Sequence, residues 1–355
     1  RGVTSLRIDG PPTALAVAGD GSRVLVGAYD SIYLFDDGGG LLRRYRTSQV
    51  FSAAMSSEGA GVVGTYDAVY IFGKDGRLIW KNGTPLDTYA SISMDGSLIA
   101  YGAEDRLYLV DRQGQLLWSY RVQSGYPKVY LFNVYISRDG NYIAAAESYS
   151  GSIYLFDREG SLLWRREIEG HPYSLSISSG GEYVAVGTVG DYSGVHLFDR
   201  AGALLLNYRT GKDVGSVSVS TSGDVAAGTY ENYLYYFEGS GMKWRRPMGG
   251  AVYATISAGG VATASGDGRI YLLDGKGDLK GSYKTGLWRD YLSRIASSAD
   301  GTLVAAGSHF SGNVYLLDTS KASFLSPISM ALLDGLSWAS LGLVVLVYGY
   351  RKRRE

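Results

Sequence analysis

The stretch SGSIYLFDREGSLLWRREIEGHP, residues 150–172, decides how the whole chain is read. Relatives of its first half recur as SIYLFDDGGG, AVYIFGKDG, RLYLVDRQG, GVHLFDRAG, YLYYFEGSG, RIYLLDGKG and NVYLLDTSK. Together they make eight copies. Their turn positions, Asp36, Gly73, Asp111, Asp157, Asp199, Glu238, Asp274 and Asp318, stand 36 to 46 residues apart. A period in that range is the signature of a repeat architecture.

Each unit carries four short strand signals, here called a to d, punctuated by turn residues. In the unit from Tyr173 these are SLSIS, YVAVGT, VHLFD and ALLLNYR. The a–b turn recurs as GDG, SEG, MDG, RDG or ADG, where Gly takes positive φ and Asp bonds its own backbone. Strands a and b are built on Ser, Ala, Gly and Val, while c and d carry Tyr, Phe, Leu and Trp. That gradient suits sheets arranged radially, because converging inner strands leave room only for small side chains and native packing allows neither voids nor overfilling. The unbroken apolar run of strand c calls for neighbours on both faces. The expected fold is an all-β, eight-bladed β-propeller over residues 1–319.

The last copy supplies strands a, b and c and then stops. An unassigned segment, GVTSLRIDGPP, precedes the first strand a. Residues 3–9 are therefore expected to complete blade 8 beside the strand at 314–318, hiding two open sheet edges.

With 355 residues and 45% hydrophobic content the chain can bury a large core. Its zero formal net charge gives no field favouring nucleic acid. Cysteine is absent, which removes disulfides and thiolate ligands. Sparse Asn and Gln beside 30 Tyr fit a thermophile source. A first residue of Arg1 fits either a leader already removed or a trimmed start.

The motifs YLFDREGSLLW, YLVDRQGQLLW and YIFGKDGRLIW resemble the repeat of the PQQ-type, quinoprotein-like eight-bladed propellers. The docking Trp of that repeat matches Trp80, Trp118, Trp164 and Trp244, and is replaced by Arg43, Leu206 and Gly281 in other units. The DG hairpins are also similar to WD40-like propellers, although no Trp-Asp pair ends a strand c. In the enzymes of the quinoprotein family the resemblance implies a quinone and calcium over the channel, with a vicinal disulfide. This chain has no Cys, and no calcium-ligand set or catalytic Asp maps onto it. The resemblance therefore points to the non-catalytic members, such as the bacterial outer-membrane assembly lipoprotein, with no cofactor and no metal. His171 in a d–a loop, His196 in strand c and His309 in a b–c loop offer no converging ligand set. The repeated Asp is explained by turn formation. Asn82 heads the one glycosylation sequon.

What remains is a binding face. The b–c loops bring Tyr29, Asp30, Tyr66, Asp67, Asp105, Tyr192 and Tyr230, and the d–a loops on the same face add Trp288 and Tyr291, with Tyr126, Tyr130 and Tyr173. Aromatic rings interleaved with carboxylates suit a protein partner or a glycan. Rings that merely cap the sheet ends are the plainer reading.

After a linker at 320–327, residues 328–350 would form a helix of about 34 Å, enough for a bilayer core of about 30 Å. The basic tail 351–355, RKRRE, follows directly, which puts the C-terminus in the cytoplasm and the propeller outside. Asp334 within the span costs roughly 2.5–3.5 kcal/mol to insert at a helix centre and less near the edge, so it is the candidate for pairing with a membrane partner. The expectation is a single-pass, extracytoplasmic scaffold whose partners are other membrane or cell-envelope proteins. A carbohydrate-binding module is the alternative, and a quinoprotein enzyme ranks last.

Overall fold

The computed structural model describes residues 2–122, 131–286 and 290–321. Within them 32 strands form eight four-stranded antiparallel sheets. Numbered as blades in chain order, blades 1 to 7 cover residues 14–46, 50–83, 88–121, 131–167, 171–209, 214–247 and 252–284. Blade 8 takes three strands from residues 292–318 and its outermost one from Val3–Arg7. That strand runs antiparallel to Asn313–Asp318 in the register Val3↔Leu317 to Arg7↔Asn313. Ile8 N–H donates to Gly312 O (2.9 Å) and Asp318 N–H to Gly2 O (2.8 Å), extending the seam at both ends. The trailing tail and its Asp334 lie outside the described residues. Among the described residues no helix is long and apolar enough to cross a membrane.

The radial gradient of side-chain size appears as burial. Strands b such as Leu98–Ala103 and Val225–Thr229 are buried at every position. The largest fully buried side chains, Tyr154, Phe156, Tyr235 and Phe237, stand on strands c. Core clusters lie between blades rather than within them. One packs Leu98, Leu107 and Leu109 of blade 3 against Leu131, Ile143 and Phe156 of blade 4. Another packs Leu6, Leu303 and Val314 of blade 8 against Val17, Val24 and Phe35 of blade 1, which closes the ring. At roughly 25 cal/mol per Å² of buried apolar surface, this inter-blade burial is the main stabilising contribution.

The docking Trp links blades by a contact that only Gly permits. Trp164 of blade 4 stacks on the c–d turn of blade 5 and donates its indole N–H to Arg200 O (3.0 Å). The turn residue Gly202 has φ +79°, and a Cβ there would stand 2.8 Å from the indole. Trp118 repeats the contact on Gly160, donating to Arg158 O (2.9 Å). Where the motif lacks Trp, Arg43 lays its aliphatic stem against Gly76. At the seam, Thr4 and Leu6 cover Gly39.

Chain direction defines two faces. The d–a and b–c loops share one, the loop face, and the a–b and c–d turns share the other, the turn face. The described chain leaves blade 8 after Asp318, at the turn face.

Candidate functional site

The innermost strands surround a channel of about 650 Å³. Because strand a is an edge, its outward N–H groups need partners. Serine supplies them. Ser52 accepts from Ala90 N–H (2.8 Å), Ser91 from Ile136 N–H (3.3 Å), and Ser176 from Val219 N–H (3.2 Å). Ser216 and Ser218 accept from Ala254 and Ile256 N–H (3.0 Å each). Serines of strand a thus stitch the innermost strands of blades 2 to 3, 3 to 4, 5 to 6 and 6 to 7, a role beyond their small size.

At the turn face, backbone bonds join successive a–b turns, among them Gly19 N–H to Ser56 O (3.2 Å), Ser57 N–H to Met94 O (2.7 Å) and Met94 N–H to Arg138 O (2.8 Å). The Arg138 guanidinium of blade 4 reaches Gly19 of blade 1, where an added Cβ would meet Nη2 at 2.9 Å. This end of the channel is crossed by a side chain.

The loop-face end is different. Where most strands a carry Ser or Ala, blades 3, 7 and 8 carry Tyr89, Tyr253 and Arg294 in equivalent registers, opposite Gly102, Ala264 and Gly307. β-Bulges in blades 2 and 5 insert Phe51 and Tyr173, the re-aiming of a side chain that bulges provide. In blade 6 the inserted residue is Gly215, whose missing side chain leaves room for the Tyr230 ring (3.0 Å from a Cβ built there).

These groups form a collar with members from blades 2 to 8 and from the segment entering blade 1. Phe51 packs on Tyr89 (centroids 5.8 Å apart), Asn133 donates to Tyr173 O (3.0 Å), and Tyr173 meets Tyr230 edge-on (5.9 Å). Tyr230 meets Tyr253 edge-on (6.2 Å), and Arg294 stands over the Tyr253 ring (6.0 Å). Arg294 Nε then donates to Thr13 O of the segment entering blade 1 (2.6 Å). Desolvation pushes the hydroxyls of Tyr89 and Tyr230 well above the usual tyrosine range and raises those of Tyr253 and, deeper in the channel, Tyr135. They stay protonated at any physiological pH.

Of the residues expected from sequence, Tyr173 and Tyr230 belong to this collar. The other described ones stay with their own loops. Tyr29, Tyr66 and Tyr192 are exposed, and Arg209 lies 4.7 Å from the Tyr192 ring. Asp30 accepts from Ser31 Oγ (3.0 Å), while Asp67 accepts from Ser48 and Thr65, bonds that hold its carboxyl below the usual range. Asp105 pairs with Arg121 at 2.6 Å. Tyr291 packs against His309 (6.1 Å) and Phe310 (5.9 Å). Trp288, Tyr126 and Tyr130 lie outside the described residues. His171 opens strand His171–Ile177 instead of lying in the loop before it, because the bulge after Pro172 lets pairing start earlier. The sequence reading passed over Phe51, Tyr89, Tyr135, Tyr253 and Arg294. Their signal was legible as large residues breaking the small-residue rule of strand a in VFSAAM, TYASI, VYATIS and LSRIAS.

Comparison with known proteins gives one family. The family model described as outer membrane protein assembly factor BamB matches residues 5–202 and 59–278. No match was found among curated proteins. Among solved structures, Saccharomyces cerevisiae Sqt1 superposes with a TM-score of 0.71 at 14% identity, covering 88% of this chain and 98% of that one. Chaetomium thermophilum Sqt1 bound to the N-terminus of ribosomal protein L10 gives 0.72 at 16%, covering 88% and 99%. The Dos1 propeller gives 0.71 at 15%, covering 89% and 94%. At these identities the likeness concerns the fold.

Proposed function

The chain belongs to the PQQ-like repeat family described as outer membrane protein assembly factor BamB, and from that membership we propose a non-catalytic, membrane-tethered scaffold that holds a segment of another protein at its loop face. The observation that carries this reading is the collar, an aromatic channel mouth assembled from blades 2 to 8 and the segment entering blade 1. Its size falls within the range of ligand sites. Among the described residues the ionisable side chains that line the channel are tyrosines and one arginine, a set suited to recognition more than to general-base chemistry near neutral pH. Sqt1, of the same fold, has been solved with the N-terminus of a ribosomal protein, so a propeller of this shape can hold a chain terminus.

The tether rests on the apolar stretch 328–350 and the basic residues after it. The chain leaves blade 8 at the turn face, so a tail entering a bilayer there would hold the collar pointing away from the lipid. Residues RKRR at the end of the tail favour a cytoplasmic C-terminus and an extracytoplasmic propeller. Asp334 would then lie near the outer boundary, within reach of a basic residue on a membrane partner. Full-length protein, purified from its native membranes in mild detergent, tests both parts. A specific co-purifying protein should be lost in Tyr173→Ala/Tyr230→Ala, while deletion of residues 322–355 should release the propeller from the membrane fraction. Partners indifferent to the collar substitutions would overturn the scaffold reading, and saturable glycan binding in their place would favour the carbohydrate module.

A further inference from the structure

The loop-face end of the channel holds a charge that no carboxylate balances among the described lining residues. These include one cation, Arg294, with the Arg138 guanidinium lying at the opposite, turn-face end. One acid, Asp87, acts on Tyr89 from the loop before that strand and is outside the lining. Arg294 is firmly placed. Nε donates to Thr13 O and Nη1 to Ser293 O, each at 2.6 Å, and the guanidinium stands over the Tyr253 ring. Neither carbonyl bond uses Nη2. A guanidinium fixed by two backbone oxygens keeps its full positive charge, since carbonyls orient it without neutralising it.

The surroundings select the ligand. Tyr89 lies close enough to Tyr135 to feel its charge, and Arg294 acts on both Tyr89 and Tyr253. The protonated hydroxyls of Tyr135 and Tyr253 can donate hydrogen bonds where the guanidinium supplies charge. A fixed single positive charge, with no carboxylate beside it among the described lining residues, attracts a single negative one. A phosphate dianion would leave one charge uncompensated, whereas one carboxylate matches one guanidinium. Walls of Ala, Ser and Val along the strands a suit a slender chain more than a broad ring system.

Building on the scaffold reading, we propose that Arg294 is a carboxylate receptor: a peptide segment of the partner enters the channel from the loop face and places one carboxylate against Nη2. The carboxylate is the segment's C-terminus or an Asp or Glu side chain.

The test uses the full chain in mild detergent and three randomised N-acetyl hexapeptide libraries, with retained members identified by mass spectrometry. The first library lacks Asp and Glu and ends in a free acid. The second has the same composition and ends in an amide. The third is an amide library with Glu at one position. Retention of the first or third over the second is expected, and which of the two is retained identifies the carboxylate's source. Arg294→Gln should weaken retained peptides about ten- to hundredfold, as expected for loss of a charge-assisted bond, while Arg294→Lys should keep part of the affinity. Should Arg294→Gln misfold, the acid-against-amide comparison on the unaltered chain decides alone. Equal retention of acid and amide libraries, lost in Tyr173→Ala/Tyr230→Ala, would overturn the carboxylate site and leave the scaffold standing. Unchanged affinity in a folded Arg294→Gln would overturn it as well. Retention of none of the libraries would overturn the carboxylate site and remove the collar from the scaffold reading.

Discussion

His196 is the most informative residue to perturb for stability. It occupies, on strand Gly194–Asp199, the place where the other seven blades carry Tyr33, Tyr70, Tyr108, Tyr154, Tyr235, Tyr271 and Tyr315. Several of those hydroxyls have partners: Tyr271 donates to Asp267 (2.7 Å), Tyr315 donates to Asp290, and Tyr70 accepts from Thr47 (2.9 Å). The imidazole is 5% exposed, and neither ring nitrogen has a hydrogen-bonding partner among the described residues. Burial lowers its pKa from 6.5 to about 4, with Glu169 opposing weakly. The folded state therefore excludes a proton that the unfolded chain takes up readily. The stability tied to this group is fully present above pH 6.5 and is lost as pH falls toward 4. A gap of this size corresponds to a loss of about 2 kcal/mol by pH 5 and about 3 kcal/mol by pH 4. His196→Phe keeps a flat ring of similar size and removes both the titration and the unpaired nitrogens. Urea unfolding of the two proteins at pH 7.5 and 5.0, followed by tryptophan fluorescence, isolates the effect, because the carboxylates that also titrate are common to both. The variant should lose about 2 kcal/mol less than the unaltered protein over that interval. Equal losses would show that the imidazole is hydrated or paired in solution, and the reasoning from burial would fail.

Two further outcomes follow from inter-blade contacts. Gly202→Ala would place a methyl 2.8 Å from the Trp164 ring on a backbone at φ +79°, so a destabilisation of about 2–4 kcal/mol is expected by urea unfolding, with the shielded Trp164 fluorescence shifting to the red. Ser216→Ala/Ser218→Ala would strip the acceptors from Ala254 and Ile256 N–H, and should cost about 1–2 kcal/mol per serine with faster amide exchange at those two positions.

Some of this architecture was legible locally. The period, the DG hairpins and the rise in side-chain size from strand a to strand c are consequences of strand geometry and packing volume, and they need no knowledge of distant partners. The Trp-on-Gly contact was half legible. LLW and DREG each stand in the repeat, but that Trp164 meets the Gly202 of the following blade depends on how two sheets face each other. The serines of strand a were read as small residues, and only their position beside the next blade's free N–H groups showed them to be acceptors.

The collar lies at the far end of that scale. Phe51, Tyr89, Tyr173, Tyr230, Tyr253 and Arg294 span 243 residues of sequence, and no spacing rule connects them. The sequence alone determined that eight similar sheets would stack with small residues inward, because each repeat carries its own pattern of turns and volumes. Only the tertiary structure decided which exceptions to that pattern meet, because closing the ring brings the start of every inner strand to one opening and sets the Arg294 guanidinium among tyrosines there.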